Sequence, residues 1–415
     1  MKSYRGLSLC FLLCIILIMS SVSGCRRQPS EKSSEERTSA AEATTQPGDI
    51  SMDDITLEGM AGDVLNTMTL EEKIGQLFIV CTDSLDFSAE TSMTKEMKEN
   101  LARFQPGGVI FFSFNIENRQ QTSTFIDDMQ TCVKIPLFIG VDEEGGMVAR
   151  IGNNKDMGTT AFPTMKVIGD SGSPEEARNV GETIGKEISE LGFNLDFAPV
   201  ADVMTNEANE EIGERSFGSD SKLVSDLVVE VVKGLQKYDV CSTLKHFPGQ
   251  GSSGEDTHKG YVGLDVTIDN LRETDFLPFR SGIEAGADFV MTSHVSVSQV
   301  TGNDLPSSLS GIVVSDILRD ELQFENVIIT DAMNMKSITK FYDANEAAKL
   351  AFQAGNDMIL MPDDFALAVE GILDAVNEGD IKEEQIDQAV MRILKVKIKR
   401  GIIPEDSDYF SSAGD

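Results

Sequence analysis

The sequence predicts an α/β fold, a TIM-like (β/α)₈ barrel that forms a single domain. Short apolar runs alternate with helical patterns between residues 60 and 400, an order that is typical of strands joined by helices. Most of the runs are apolar throughout, as expected for parallel strands that are covered on both faces. Eight runs are candidate strands: 76–80, 107–113, 137–141, 193–200, 240–246, 289–294, 326–331 and 357–361.

Polar side chains at the ends of these runs favour the barrel over the alternative, a doubly wound open sheet. An open sheet concentrates its chemistry at one switch point, whereas a barrel collects it on one face from the carboxyl ends of many strands. Five runs end in, or are followed by, chemically capable side chains: Asp142, Asp202, Lys245 with His246, His294, and Asp331. Their spread over five runs is what a barrel requires.

The helical patterns between the runs carry recognisable end signals. Thr69 and Glu72 form a capping box that opens a helix running toward Gln76, so 77–80 is a narrower alternative for the first strand. A last amphipathic helix ends near Gly401.

Residues 1–25 are predicted to be a lipoprotein signal peptide. Basic residues precede an apolar stretch at 7–19, whose 13 residues are too few for a typical membrane span. The sequence Val-Ser-Gly-Cys at 22–25 resembles the lipobox of bacterial lipoproteins. This resemblance implies that Cys25 is lipidated and anchors the protein to the outer face of the bacterial cell membrane. The alternative is an ordinary secretory signal with an incidental cysteine.

The rest of the chain divides into a tether, a barrel and a tail. Residues 26–57 are rich in Ser, Thr, Glu and Ala and hold few large apolar residues, so they bury too little surface to offset the entropy of ordering. We therefore expect a disordered tether at 26–57, a catalytic barrel at 58–404 and a C-terminal tail at 405–415.

The composition argues against some partners and cofactors. A formal net charge of −34 disfavours nucleic acid, because phosphate binding calls for a basic surface; a solvated acidic surface is the plain explanation. With three histidines and no CxxC or HExxH pattern, no zinc site is expected, and we expect no cofactor of any kind. Cys81, Cys132 and Cys241 are expected to be free, buried thiols.

The segment from Lys245 to Gly251, followed by Asp256 and His258, carries the densest chemistry, and its glycines indicate a loop after the strand. Asp256 and His258 are two residues apart, so in an extended loop both side chains can lie on one side. The carboxylate would orient the imidazole and favour its cation, which suits proton transfer near neutral pH. The alternative is a loop hydrogen bond with no chemical role.

Lys245 and His246 are expected to point to opposite faces of their strand, one toward the barrel mouth and the other supporting it. A lysine on a barrel strand also permits a Schiff base. Nearby carboxylates and arginines favour polyol recognition instead.

Asp142 and Arg150 flank paired glycines at 145–146. A tight turn there would let both side chains converge on one ligand, the carboxylate accepting from sugar hydroxyls and the guanidinium donating to them; a solvated loop is the alternative.

Arg215 is a weaker candidate, because an arginine in a polar segment is usually on the surface. Asp331 ends a buried strand, where a carboxylate is either paired structurally or functional.

Together these motifs resemble glycoside hydrolase family 3, and in particular its single-domain β-N-acetylglucosaminidases. The resemblance runs from about residue 68 to residue 400. Its most specific element is Lys-His-Phe-Pro-Gly-x-Gly followed by Asp-x-His. The matching segments are 68–77, 142–150, 194–200, 215–218, 245–258, 291–294 and 329–333.

The resemblance implies a role for each matching residue. Asp331 matches the nucleophile. His258, supported by Asp256, matches a general acid/base that replaces the second carboxylate of most retaining glycosidases. Five residues match the positions that hold the nonreducing-end sugar: Asp142, Arg150, Arg215, Lys245 and His246.

Two positions depart from the family pattern. Met147 stands where arginine is frequent, and Gln250 stands where histidine is common, which leaves fine substrate contacts open. The chain has no tryptophan, so sugar stacking would rest on Phe, Tyr or Met, as suits a short exo-acting pocket.

The implied activity is that of a retaining exo-β-N-acetylglucosaminidase that forms a covalent intermediate on Asp331. The envelope location suggests peptidoglycan fragments as substrate, with chitin oligomers or glycoprotein sugars as alternatives. Phosphorolysis is another possibility, because a neutral imidazole repels phosphate less than a carboxylate does. A non-catalytic sugar-binding lipoprotein and a two-domain relative such as a β-glucosidase are further alternatives; the latter would place its acid/base on a second domain, for which we expect no room.

Overall fold

The computed structural model describes residues 52–88 and 91–410. The predicted signal peptide with Cys25 and residues 26–51 of the predicted tether lie outside the described residues. The predictions for these segments therefore stay predictions.

Eight parallel strands form the central sheet, which confirms the (β/α)₈ barrel. Each strand pairs with its neighbour in the chain, β1 also pairs with β8, and a bridge between Ile329 and Met358 joins β7 to the start of β8. The strands are β1 (Phe78–Cys81), β2 (Gly108–Phe111), β3 (Phe138–Val141), β4 (Leu195–Asp196), β5 (Cys241–Phe247), β6 (Phe289–Thr292), β7 (Val327–Thr330) and β8 (Ile359–Leu360).

Every strand overlaps one of the eight predicted runs, and most are shorter than the run. The capping box of Thr69 and Glu72 is formed, and it opens the helix Leu70–Gln76. This helix includes Gln76, the first residue of the predicted run 76–80, so the strand begins later than predicted. The alternative extent of 77–80 is closer to the observed strand.

Helices surround the sheet and cover the outer faces of the strands, which are buried on both sides as predicted. The longer α-helices are Met52–Leu65, Leu70–Gln76, Lys95–Phe104, Arg119–Gln130, Met165–Ser171, Pro174–Ser189, Ser221–Gln236, Phe276–Glu284, Ala344–Ala354, Phe365–Glu378 and Glu383–Lys399. Single-turn α-helices are Ile268–Asn270, Ser298–Thr301 and Lys336–Thr339, and π-helical segments are Leu271–Asp275 and Ile312–Glu321. Short 3₁₀ turns are Thr82–Ser84, Ser113–Asn115, Lys155–Met157, Gly213–Arg215, Ser307–Leu309 and Asp408–Phe410.

The ordered structure extends past both boundaries expected for the barrel. The helix Met52–Leu65 begins within the segment 26–57 that the composition suggested to be a disordered tether, and its Leu57 packs against the core. At the other end, Tyr409 and Phe410 of the expected tail also pack against the core. Leu57, Tyr409 and Phe410 are apolar anchors for the described parts of these segments, and average composition does not reveal them.

Short strands beyond the barrel build the walls of its carboxyl-terminal face. Glu143–Gly145 and Val148–Ala149 form an antiparallel hairpin after β3. Val262–Gly263 and Val295–Ser296 form a parallel pair after β5 and β6. Within the described segments, no helix combines the length and the apolarity needed to span a bilayer.

Candidate active site

A cavity of about 300 Å³ lies at the carboxyl-terminal ends of the barrel strands, where catalytic sites of such barrels are found. Seven of the eight predicted catalytic and sugar-binding residues line it: Asp142, Arg150, Arg215, Lys245, His246, His258 and Asp331. The eighth, Asp256, contacts His258 at the edge of the cavity. The barrel therefore brings together residues as distant in the sequence as Asp142 and Asp331, which are 189 positions apart.

Asp331 follows the apolar strand β7, which fixes it at the floor of the cavity. Its backbone N–H donates to Thr292 O (2.8 Å), and Ala332 N–H donates to its Oδ1 (2.8 Å). Burial alone would raise the pKa of Asp331, but the Ala332 hydrogen bond and the positive charge of Lys245 hold it below its ordinary value. The carboxylate is therefore ionised at neutral pH, as a nucleophile requires.

His294, at the end of β6, supports this backbone from outside the cavity lining. Its Nε2 lies 3.0 Å from the carbonyl oxygen of Ala332 and its Nδ1 lies 2.8 Å from Ser308 Oγ. A carbonyl only accepts, so Nε2 carries the proton and Nδ1 accepts from the serine hydroxyl. Burial lowers the pKa of His294, which keeps the ring neutral.

His258 stands on the loop after β5, with 65% of its side chain exposed. Its Nδ1 lies 3.0 Å from Asp256 Oδ1 and 3.2 Å from Glu211 Oε1. The adjacent carboxylate of Glu211 raises the pKa of His258 to about 9 against the opposing effect of burial, and Asp256 and the charge of Asp331 add to the increase. The predicted Asp256–His258 contact is present.

Glu211 is a site residue that the sequence did not reveal. It lies in the polar segment between β4 and the Gly213–Arg215 turn, where several acidic residues follow one another. Nothing distinguishes it in sequence from its exposed neighbour Glu210, yet only 7% of its side chain is exposed. A polar segment that folds back over a barrel mouth leaves no periodic signal.

A buried ion network fixes one wall of the cavity. Lys245 Nζ lies 2.9 Å from Asp142 Oδ1 and 2.6 Å from Glu144 Oε1. Arg215 donates to both oxygens of Glu144 at 2.8 and 2.9 Å, a bidentate pair. Burial opposes the charge of Lys245, but Asp142 and Glu144 raise its pKa above the ordinary value. A charged ammonium is a poor Schiff-base nucleophile, so the sugar-recognition interpretation is favoured.

The expectation that Lys245 and His246 point to opposite faces is wrong, because both line the cavity. The pairing of β5 with β6 shifts register between Leu244 and Phe247, which interrupts the alternation of side chains. His246 Nδ1 lies 2.6 Å from the buried Asp202. Its Nε2 lies 3.4 Å from Arg215 Nη2, a donor, so Nε2 accepts and Nδ1–H donates to Asp202.

Asp142 and Arg150 converge as their flanking glycines predicted. Arg150 Nη2 lies 3.4 Å from Asp142 Oδ2 across the hairpin. Gly146 turns the hairpin with φ 63°, and a Cβ there would lie 2.7 Å from Thr164 Cα. Arg150 Nε is buried and has no hydrogen-bond partner among the described residues.

The two departures from the family pattern lie in different surroundings. Met147 is 63% exposed at the hairpin turn. Gln250 is buried, and its backbone N–H donates to Asp202 Oδ1 (2.7 Å), so it belongs to the packing that supports His246.

One group of described residues has ligand atoms close enough together for a metal ion: Glu211, Asp256 and His258, within 4.8 Å of one another. The contacts of His258 with the two carboxylates are at hydrogen-bond distance. A shared proton accounts for the group, so we assign no metal ligand.

The barrel and its site define a class of protein. An ionised aspartate and a cationic histidine line one small cavity, whose wall offers paired carboxylates and cations suited to hydroxyl groups. A carboxylate that faces a proton donor across a small cavity fits a glycoside hydrolase, although a histidine here stands where most such enzymes have a second carboxylate.

The chain belongs to glycosyl hydrolase family 3, because residues 69–396 match the family model of the glycosyl hydrolase family 3 N terminal domain. A beta-hexosaminidase of Idiomarina loihiensis is 34% identical over 310 residues, covering 74% of this chain and 90% of that protein. Beta-hexosaminidase A of Pseudoalteromonas piscicida is 31% identical over 349 residues, covering 77% of this chain and 57% of that protein.

Solved structures show the same relationship. A family 3 β-N-acetylglucosaminidase from Paenibacillus sp. str. FPU-7 superposes with a TM-score of 0.77 at 34% identity, covering 83% of this chain and 65% of that one. The beta-glucoside phosphorylase BglX superposes with a TM-score of 0.74 at 25% identity, covering 85% of this chain and 62% of that one. This chain thus spans a little over half of the Pseudoalteromonas protein but most of the Idiomarina protein.

Proposed function

We propose that this protein is a retaining exo-β-N-acetylglucosaminidase that removes N-acetylglucosamine from the nonreducing end of its substrate. The observation that carries the proposal is that Asp331 and His258, an ionised carboxylate and an imidazolium, line the same cavity. The beta-hexosaminidase names of the relatives support it.

In the first step, a carboxylate oxygen of Asp331 attacks the anomeric carbon and forms an ester with it. The bond between the anomeric carbon and the leaving oxygen breaks, and that oxygen takes a proton from His258. Nδ1 of His258 is held by two carboxylates, so Nε2 is the nitrogen left to protonate the leaving group.

In the second step, water attacks the anomeric carbon while His258 takes a proton from the water molecule. The ester bond between the anomeric carbon and Asp331 breaks, which releases Asp331 as a carboxylate. The negative charge of Asp331 contributes to the raised pKa of His258. Formation of the ester removes that charge, so the pKa of His258 falls at the stage when the ring must act as a base.

The buried network of Lys245, Asp142, Glu144 and Arg215 supplies a fixed set of donors and acceptors for the hydroxyl groups of one terminal sugar. Because these charges already satisfy one another, the wall has its geometry before the sugar arrives, which suits tight positioning.

We propose peptidoglycan fragments as the physiological substrate and lipidated Cys25 as a membrane anchor. The support is the lipobox-like sequence at 22–25, which would place the enzyme at the envelope. Radiolabelled palmitate should label the wild-type protein in cells and leave Cys25→Ala unlabelled. Label on neither protein would contradict the anchor.

Product analysis tests the activity. The protein should release free N-acetylglucosamine from muropeptides with a higher kcat/KM than from N,N′-diacetylchitobiose. A higher value for chitobiose would redirect the substrate to chitin oligomers.

Phosphorolysis is the second candidate, since a beta-glucoside phosphorylase is among the structural relatives. In phosphate buffer the phosphorylase reaction would give N-acetylglucosamine 1-phosphate, whereas we expect the free sugar. Predominance of the 1-phosphate would overturn hydrolysis as the activity while leaving the covalent intermediate intact.

A further inference from the structure

We propose that Glu211 is a positioning residue for the acid/base histidine: its carboxylate lies beside Nδ1 of His258, whose N–H donates to Asp256, and there it stabilises the imidazolium and keeps Nε2 directed into the cavity. The inference rests on the proposed function, since it gives Glu211 a role only through His258.

The carboxylate of Glu211 binds two consecutive residues of the catalytic loop. Its Oε1 lies 3.2 Å from His258 Nδ1, and its Oε2 accepts from the backbone N–H of Thr257 at 2.9 Å. The hydroxyl of Thr257 also donates to Oε1. These contacts fix both the ring and the backbone that carries it.

Glu211 is itself tied to the rigid wall of the site. Arg215, which forms the bidentate pair with Glu144, also donates from Nη1 to the carbonyl oxygen of Glu211 at 3.0 Å. The same segment holds the start of the loop, because Asn209 Nδ2 donates to Gln250 O at 2.8 Å. The loop that carries His258 is thereby tied to the buried wall of the site.

The two carboxylates on His258 are not equivalent. Asp256 is 29% exposed and shares its charge with Lys259 at 3.1 Å. Glu211 is 7% exposed, and His258 is its ion-pair partner among the described residues. A buried carboxylate whose ion-pair partner is His258 interacts more strongly with that cation than an exposed carboxylate that is also paired with a lysine.

The charged groups around His258 together favour its cation. Glu211, Asp256 and Asp331 are negative and favour it, while Lys259 opposes it and is itself paired with Asp256. Glu211 is the largest contributor to the raised pKa of His258. Glu211 thus extends the range of pH over which the leaving group can be protonated.

The test is Glu211→Gln in the full chain, with Glu210→Gln as the matched control, since Glu210 is the exposed neighbour. The pH profile of kcat/KM on N,N′-diacetylchitobiose should lose its alkaline limb at least one pH unit earlier in Glu211→Gln, which is a tenfold loss at the highest pH values. The profile of Glu210→Gln should match that of the wild type. An unchanged alkaline limb in Glu211→Gln would overturn the proposal.

A second measurement does not depend on catalysis. The chain has three histidines, so their ring signals can be followed individually by NMR. The signal assigned to His258 should titrate near pH 9 in the wild type and at least one unit lower in Glu211→Gln. If Asp331→Ala kept full activity, the proposed function would fail, and the titration would still decide whether Glu211 sets the protonation of His258.

Discussion

The site joins two regions of unlike construction. Asp331, Lys245 and the partners of Lys245 stand on strand ends or on the hairpin next to them, and they are held by buried ion pairs and backbone hydrogen bonds. His258 stands on a loop and exposes 65% of its side chain. The buried region has fixed partners at the strand ends, whereas the loop region is open to solvent.

This difference divides the chemistry between the two regions. Attack at the anomeric carbon demands fixed geometry, because small misplacements of reacting atoms are costly. Proton transfer needs reach and the right pKa. The loop obtains both through Glu211, which connects it to the segment that carries Arg215.

Removing the nucleophile should have the largest effect. Asp331→Ala should lower kcat on the order of 10⁴-fold or more with every substrate, because the proposed ester forms on its carboxylate. Asp316→Ala, an exposed aspartate on the Ile312–Glu321 segment, is the control and should keep wild-type kcat. Retention of more than a few per cent of activity in Asp331→Ala would contradict the assignment of Asp331 as the nucleophile.

Removing the acid should discriminate between leaving groups. His258→Ala should lower kcat/KM for N,N′-diacetylchitobiose by about 10² to 10⁴, the usual contribution of a general acid. Glycosylation by a 4-nitrophenyl glycoside, measured as a burst, should change only a few-fold, because that leaving group needs little protonation. Equal losses with both substrates would contradict the assignment of His258 as the acid.

Breaking the buried wall should act on stability as well as on binding. Glu144→Gln leaves Arg215 without its bidentate partner, and we expect a loss of about 3 kcal/mol in the free energy of unfolding, with a raised KM. Denaturant titration measures the first and steady-state kinetics the second. Asp316→Asn should leave both unchanged, and a Glu144→Gln protein as stable as wild type would show that the network contributes little.

The pH dependence of activity should report on both regions, through His258 on the loop and Asp331 at the strand end. The cation of His258 is present below its folded pKa of about 9 and is lost above it, so kcat/KM on an unactivated substrate should fall on the alkaline side near that value. The pKa of Asp331 lies below its ordinary value, so activity should persist to acid pH until that carboxyl is protonated. An alkaline limb near pH 6.5, the ordinary histidine value, would mean that the loop does not hold the imidazolium.

The sequence predicted the strand-borne region better than the loop-borne region. Asp142, Arg150 and Asp331 follow apolar runs or paired glycines, which are local signals of a strand end or a tight turn. Glu211 carries no such signal, because its burial is created by a distant loop that folds over it. The orientation of Lys245 and His246 was missed for a related reason, since a register shift depends on the partner strand.

In the proposed mechanism Asp331 and His258 meet across one sugar, and a mechanism-based trap tests this directly. A 5-fluoro-N-acetylglucosaminyl fluoride should add one sugar to the protein, and peptide mapping should place it on the peptide that contains Asp331. His258→Ala should still be labelled, because fluoride needs no proton to leave, but it should release the sugar much more slowly. A label on another residue, or no label with hydrolysis intact, would contradict the account.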